Sequence, residues 1–274
     1  MSEMWDSVAP AWERHATAVD AHVAPGTAAL LDAAQIGAGD TVLDIAAGAG
    51  GAGLAAAART GPTGRVVLAD DAPGMVAAAA RRAADLPHVT TLLCDQVRID
   101  AEDASVDAVI CRHGLMFAPE PAAAVREAGR VLRPGGRYAV MTWDTRAANP
   151  WLGLIMDAVG AQFGVPFPPP GLPGPFSIDD PDLLAGALAA GGLEDVHVRR
   201  IATPLHTASL EAWWDLVPQF AGPLAVALAG MDAQTVSEIR ARALELGAQA
   251  ARPAGDGIEL GGSVLVGSGR RSAA

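Results

Sequence analysis

Little in this chain suits an oxidising compartment, a polyanionic partner or a bilayer. Only two cysteines occur, Cys94 and Cys111, each inside an apolar segment. That usage fits reduced thiols and leaves neither a disulfide framework nor a structural zinc site, so no metal is expected. Positive charge is scarce: Lys+Arg number 19 against 31 Asp+Glu, giving a formal net charge of -12 with no basic run. A nucleic acid would be repelled and is not expected as substrate. No apolar stretch is long and unbroken enough to cross a membrane, because Gly, Pro and Arg interrupt the alanine-rich tracts. Met1 to Arg14 carry Trp, Asp and Glu and lack the apolar centre of a secretory leader, so a cytoplasmic protein is expected.

What is present is a 274-residue chain, 51% hydrophobic and 18% charged, long enough to bury a sizeable core. From Thr41 to Ala139, β-branched apolar runs alternate with alanine-rich helical stretches, the pattern of repeated β-α units around a mostly parallel sheet. Strands are predicted at Thr41 to Ala46, Arg65 to Ala69, Val89 to Cys94, Val106 to Cys111 and Arg137 to Trp143. Helices are predicted near Gly53 to Arg59, Gly74 to Ala84 and Ala122 to Leu132. A helical preamble runs from Met4 to about Ala34, with Trp5 and Trp12 on one face. After Trp143 the pattern predicts a helix from Asn149 to Phe163, then a proline-rich stretch, Gly164 to Pro175, that reads as a linker, a stiff surface loop or a lid. A helix follows from Asp179 to Ala190, then a sixth strand at Val196 to Ala202, helical sequence from Ser209 to Ala251, a seventh strand at Ile258 to Gly267, and a frayed tail from Ser268.

The segment Leu43-Asp-Ile-Ala-Ala-Gly-Ala-Gly-Gly-Ala-Gly53 is a strand end passing through a glycine loop into a helix. Glycine is needed where the chain turns sharply and a ligand must approach main-chain amides. Gly48, Gly50 and Gly53 fit the GxGxxG spacing, which alone is weak. Asp70, at the end of the second strand, adds a carboxylate able to accept from both hydroxyls of a ribose. An NAD-type cofactor and S-adenosylmethionine both satisfy this much. Asp44, four residues before Gly48, and the helical preamble favour the second: an acid there can hold the cation-bearing amino-acid end directly or through water. Asp95, with Gln96 and Val97, follows the third strand, where it can accept from an adenine amine or form a simple Asx turn.

These residues, with Asp70-Asp-Ala-Pro-Gly-Met75, Cys94-Asp-Gln96, Val106-Asp-Ala-Val109 and Arg130-Val-Leu-Arg-Pro-Gly-Gly136, resemble the ordered motif set of class I S-adenosylmethionine-dependent methyltransferases, closest to the ubiquinone/menaquinone-type branch. The resemblance covers roughly residues 40 to 143. It implies an α/β Rossmann-like seven-stranded, mostly parallel sheet flanked by helices with helical lid insertions. The expected division of residues 1–274 is a single domain with a core at about 25–145, 193–206 and 256–268 and lid elements at about 1–24, 146–190 and 207–252. S-adenosylmethionine would be the cofactor and S-adenosylhomocysteine the product. Gly48 and Gly50 would meet it through backbone, Asp70 its ribose, Met75 and Val97 its adenine faces and Asp95 the adenine amine. Asp44, Ala46, Ala49, Asp71, Gln96 and Arg112 complete the expected cofactor set. Ala47 stands where the family often has a small polar residue or cysteine, and Trp5 and Trp12 stand where tyrosines are common, which implies a different substrate roof. Arg130 to Gly136 reads as structural.

A sulfonium methyl is already activated, so the expected chemistry is alignment of a small-molecule nucleophile in line with the S–CH₃ bond. His113, after the fourth strand, is the first candidate base, His206 the second and His15 the third. Trp5, Trp12, His15, Trp151 and Trp213 are candidate walls for an aromatic, quinone-like or secondary-metabolite acceptor. Most tryptophans serve as core. A homodimer remains open. The rival readings are a nicotinamide oxidoreductase, for which no hydride-transfer constellation is visible, and a cofactor-binding cyclase or scaffold that transfers no methyl.

Overall fold

The computed structural model describes residues 2–273; the terminal Met1 and Ala274 of the expected domain lie outside it. The helices are α1 (Ser2–His22), α2 (Ala24–Ala33), α3 (Gly51–Thr60), α4 (Pro73–Arg82), α5 (Pro121–Val131), α6 (Pro150–Phe163), α7 (Pro181–Ala190), α8 (Leu210–Phe220), α9 (Gly222–Ala229) and α10 (Ala233–Ala250). The strands are β1 (Thr41–Ile45), β2 (Arg65–Asp70), β3 (Val89–Leu93), β4 (Val106–Arg112), β5 (Leu132–Trp143), β6 (Glu194–Ala202), β7 (Leu205–Thr207), β8 (Arg252–Ala254), β9 (Gly257–Leu260) and β10 (Ser263–Arg270).

The main sheet has seven strands in the order β3-β2-β1-β4-β5-β10-β6. β1 to β5 pair in parallel, while β10 runs antiparallel to both β5 and β6. β1 and β4 are mostly apolar because both faces are covered by helices; Val42, Leu43, Val109 and Ile110 are all buried. The chain leaves β1 toward β2 and β3 and returns to β4 on the other side. A crevice therefore opens at the carboxyl ends of β1 and β4.

Alanine and glycine let the helices come close. A Cβ placed on Gly53 of α3 would lie 2.0 Å from Leu68 Cδ2 on β2, so the small residue sets how near that helix packs. On α5, Ala124, Val125, Ala128 and Val131 are the buried positions, a stripe at helical spacing that faces the sheet. Arg130 on the same helix binds Asp103 and Glu127 at 2.6 and 2.7 Å, a structural tie remote from the crevice.

Four sequence expectations change. The preamble is two helices, not one, broken at Val23 where Pro25 enters the first turn of α2 and cannot continue the ladder of α1. The stretch from Ser209 to Ala251 is three helices. The predicted seventh strand splits at Gly261-Gly262, so that β9 joins a small sheet in the order β7-β9-β8 and only β10 enters the main one. The tail is not frayed: Ser268 is buried and paired, and the backbones of Arg271 and Gly135–Gly136 exchange hydrogen bonds of 2.9 and 3.1 Å. Among the described residues no helix is long and apolar enough to cross a membrane.

Candidate active site

β1 delivers the chain into a turn in which Ala46, Gly48 and Gly50 all have positive φ, 54°, 55° and 86°. Glycine tolerates that conformation and Ala46 adopts it at a cost, held by its surroundings. The turn is fixed from two sides. Asp70, at the end of β2, accepts from Gly48 N at 2.8 Å and from Ala72 N at 3.0 Å. Asp44 of β1 accepts from Gly53 N at 2.7 Å. Burial pushes Asp70 up to about 6, against the pull of the Ala72 and Gly48 amides. It pushes Asp44 up to about 7, with Arg112 and the Gly53 amide opposing.

Beside this turn lies a cavity of about 390 Å³, within the usual range for small-molecule sites. Its two ends differ chemically because they are built from opposite sides of the β1–β4 crevice. Toward β2 and β3 it is lined by Gly48, Asp70, Asp71, Met75, Asp95 and Gln96. Acceptor oxygens dominate here, and Gln96 Oε1 is buried with no hydrogen-bond partner. Asp95 also closes an Asx turn on Val97 N at 3.0 Å.

Toward β4 and β5 the lining is aromatic. His113 stacks on Trp143, with ring centroids 3.8 Å apart and planes 15° from parallel. Trp151 meets Trp143 edge-on at 4.9 Å, and His22 meets Trp151 edge-on at 4.8 Å. His113 sits at φ 63° with its amide donating to Met141 O. Both of its ring nitrogens are buried without a partner. Burial first, and the Arg112 charge second, hold its pKa well below the ordinary histidine value.

α1 roofs the cavity. Trp5 packs edge-on against Phe117 at 5.0 Å, and Trp12 Nε1 donates to Phe220 O at 2.8 Å. Glu13 forms a two-pronged pair with Arg81. Asp20 bridges Arg82 and Arg112, both at 2.7 Å. Gly74 N donates to Asp6 Oδ1 at 2.6 Å, and a Cβ on Gly74 would lie 2.8 Å from that oxygen.

A methyltransferase-domain family matches residues 43–140, the stretch that supplies the turn, Asp70, Asp95 and His113. By that match residues 43–140, about a third of the chain, are similar to a methyltransferase domain. The chain is 34% identical over 146 residues to a demethylmenaquinone methyltransferase of Clavibacter sepedonicus, covering 53% of this chain and 58% of that one. Other curated relatives are longer, and this chain spans 34% and 43% of two of them. In overall shape it is similar to YcgJ of Bacillus subtilis, with a TM-score of 0.59, 17% identity, and coverage of 90% and 97% of the two chains. It is similar also to the [4+2]-cyclase SpnF, with a TM-score of 0.55, 20% identity, and coverage of 90% and 80%.

The cavity gathers Ala46, Gly48, Asp70, Asp71, Met75, Asp95, Gln96, Arg112 and His113 of the sequence-predicted set from the matched stretch, and Trp5, Trp12 and Trp151 from outside it. Seven expected residues stand elsewhere. Asp44 is fully buried beneath the turn on Gly53, so it organises the loop. Ala49 gives its carbonyl to Arg82 Nη1, and Gly50 backs onto Leu68 and Ala79. Val97 points to solvent at 41% exposure. His15 is exposed and bonds Gln219 at 3.0 Å. His206 is exposed on β7, 3.7 Å from Glu259 across the small sheet, so the second candidate base is withdrawn. Trp213 is wholly buried and donates to Trp151 O at 2.6 Å; it supports the wall from behind.

The sequence reading missed His22, Phe117, Trp143 and Phe220, all of which line the cavity. For His22 a signal existed: Pro25 ends the helix just beyond it, which puts the histidine at a break in the chain.

Proposed function

We propose that this protein transfers the methyl group of S-adenosylmethionine to a small, flat, uncharged organic molecule. The carrying observation is the cavity's division into an end rich in acceptor oxygens and an aromatic end with neutral imidazoles. The donor set fits an adenosyl group: Asp70 would take the ribose hydroxyls, and Asp95 and the unpartnered Gln96 oxygen would take the adenine amine. Met75 would pack the ring, while Arg112 and Ala46 to Gly48 would border the amino-acid end. When bound, the cofactor supplies a sulfonium methyl, an electrophile needing alignment and a dry site. The roof α1 and the indoles Trp143 and Trp151 exclude water and hold the acceptor's plane. Among the described residues the one lining Arg or Lys, Arg112, is already paired with Asp20, which disfavours a phosphorylated acceptor.

The expected division into a core and lids at α1, α6–α7 and α8–α10 follows the same reading, with the roof and the far wall supplied by lid elements. Incubation with labelled methyl donor and phenolic, quinone and amine acceptors tests the proposal. Transfer to a flat ring acceptor supports it. Binding of S-adenosylhomocysteine with transfer to none of these classes would favour the cyclase or scaffold reading instead.

Two further outcomes are expected. His113→Ala should lower turnover at least tenfold while changing S-adenosylhomocysteine affinity less than threefold, since the ring stacked on Trp143 forms part of the wall that positions the acceptor; unchanged turnover would remove it from that wall. Cofactor affinity should also depend on pH. Asp70 is ionised above about 6, and the ionised form accepts both ribose hydroxyls. Affinity is therefore full near pH 7.5 and falls as pH drops through 6. Calorimetric titration between pH 5 and 8 checks this, and a flat profile would count against Asp70 as the ribose acid.

A further inference from the structure

His22 is one of two cavity-lining imidazoles, and its partners settle its tautomer. Nδ1 lies 3.3 Å from Pro204 O. A carbonyl only accepts, so Nδ1 must carry the proton and Nε2 is left with a free lone pair. Nε2 is buried with no partner. Pro204 O is itself held, because Thr203 N donates to Gly262 O at 2.8 Å beside it. His113 has no such orienting partner on either nitrogen.

We infer that His22 is the proton acceptor of this site, and that the acceptor molecule is a fused-ring phenol or enol whose hydroxyl donates to His22 Nε2. This rests on the reading of the cavity as the acceptor site. The aromatic end supplies flat walls in Trp143, Trp151 and His113. The lining carboxylates Asp70, Asp71 and Asp95 all belong to the β2–β3 side. An ammonium would therefore enter the aromatic end uncompensated, whereas a neutral hydroxyl satisfies the one orphaned acceptor whose tautomer is fixed.

The step balances without another reactant. The acceptor oxygen forms a bond to the methyl carbon as the carbon–sulfur bond breaks with its electron pair to sulfur. The hydroxyl proton passes to Nε2, leaving an aryl methyl ether, a thioether and an imidazolium. Burial, with the Pro204 carbonyl opposing and His206 adding to it, lowers His22 to about 4. A weak base suffices, because the hydroxyl becomes strongly acidic only as its oxygen gains the methyl group. The neutral imidazole meanwhile stays ready to accept at physiological pH.

The test measures binding of 2-naphthol and 2-methoxynaphthalene to protein saturated with S-adenosylhomocysteine. Wild-type protein should prefer the naphthol by about tenfold, the worth of one hydrogen bond. His22→Phe keeps a ring against Trp143 and Trp151 and should abolish that preference with S-adenosylhomocysteine affinity unchanged; His113→Phe should retain it. A preference that survives in His22→Phe, or vanishes in His113→Phe alone, overturns the assignment. Failure of S-adenosylhomocysteine to bind wild-type protein would instead overturn the underlying reading. Nitrogen-15 NMR of the unaltered protein gives a test independent of variant folding: His22 should show protonated Nδ1 and bare Nε2, the latter shifting on naphthol addition. A protonated Nε2 in the neutral ring overturns the inference.

Discussion

Asp70→Ala should weaken S-adenosylhomocysteine binding about a hundredfold, roughly 3 kcal/mol, and should also cost stability. The affinity loss follows from removing a carboxylate that would accept two ribose hydroxyls, since hydrogen bonds to charged groups are worth roughly 1.5–3 kcal/mol each before compensation. The sequence alone suggests that such a variant keeps its fold nearly intact. The structure revises this, because the same carboxylate receives the amides of Gly48 and Ala72. Alanine strands both amides under the glycine turn, and about 1–3 kcal/mol of stability should go with them. Asp70→Asn should relieve only part of the stability loss. Its amide oxygen can still accept from Gly48, but its NH₂ would face Ala72 N–H, donor against donor. Calorimetry on protein shown to be folded by circular dichroism checks the affinity. Wild-type affinity in Asp70→Ala would remove the acid from the cofactor site.

Trp213→Ala should be the most destabilising single change considered, by about 3–5 kcal/mol, the usual range for deleting a buried large aromatic. The indole is fully buried, and its N–H donates to Trp151 O. It packs so closely against α10 that a Cβ on Gly247 would lie 2.6 Å from the ring. No rearrangement short of moving α8 against α10 fills the vacated space. Loss of about 10 °C in melting temperature is expected for a chain of this size. Protein that remains folded in the cold should bind S-adenosylhomocysteine within about threefold of wild type, because Trp213 does not line the cavity. A near-normal melting temperature would show that the region repacks freely.

What could be read from the sequence was local. The glycine turn, the acid closing β2 and the Asp95-Gln96 pair lie within a stretch where strand periodicity and turn chemistry announce themselves, and the cavity collects most of them. Asp44 shows the limit of that reasoning. Its position near the turn is visible in the sequence, but the strand's alternation directs the side chain under the loop onto Gly53. Tryptophans showed the same ambiguity: Trp151 and Trp213 look alike in sequence, and only packing against α10 assigns one to the cavity and the other to its support. His206 failed because β9 leaves the main sheet, carrying β7 and its histidine to a separate small one. His22 was hidden by reading one long helix where Pro25 enforces two. The feature that distinguishes it, a carbonyl 182 residues away fixing its tautomer, is a long-range contact with no local pattern.

The central claim is that the crevice beside the glycine turn holds an adenosyl thioether. Parallel calorimetric titrations of wild-type protein with S-adenosylhomocysteine and with NAD test it most directly. One S-adenosylhomocysteine should bind per chain with micromolar or tighter affinity, and NAD should give no saturable heat. Saturable binding of NAD without binding of S-adenosylhomocysteine would contradict the account.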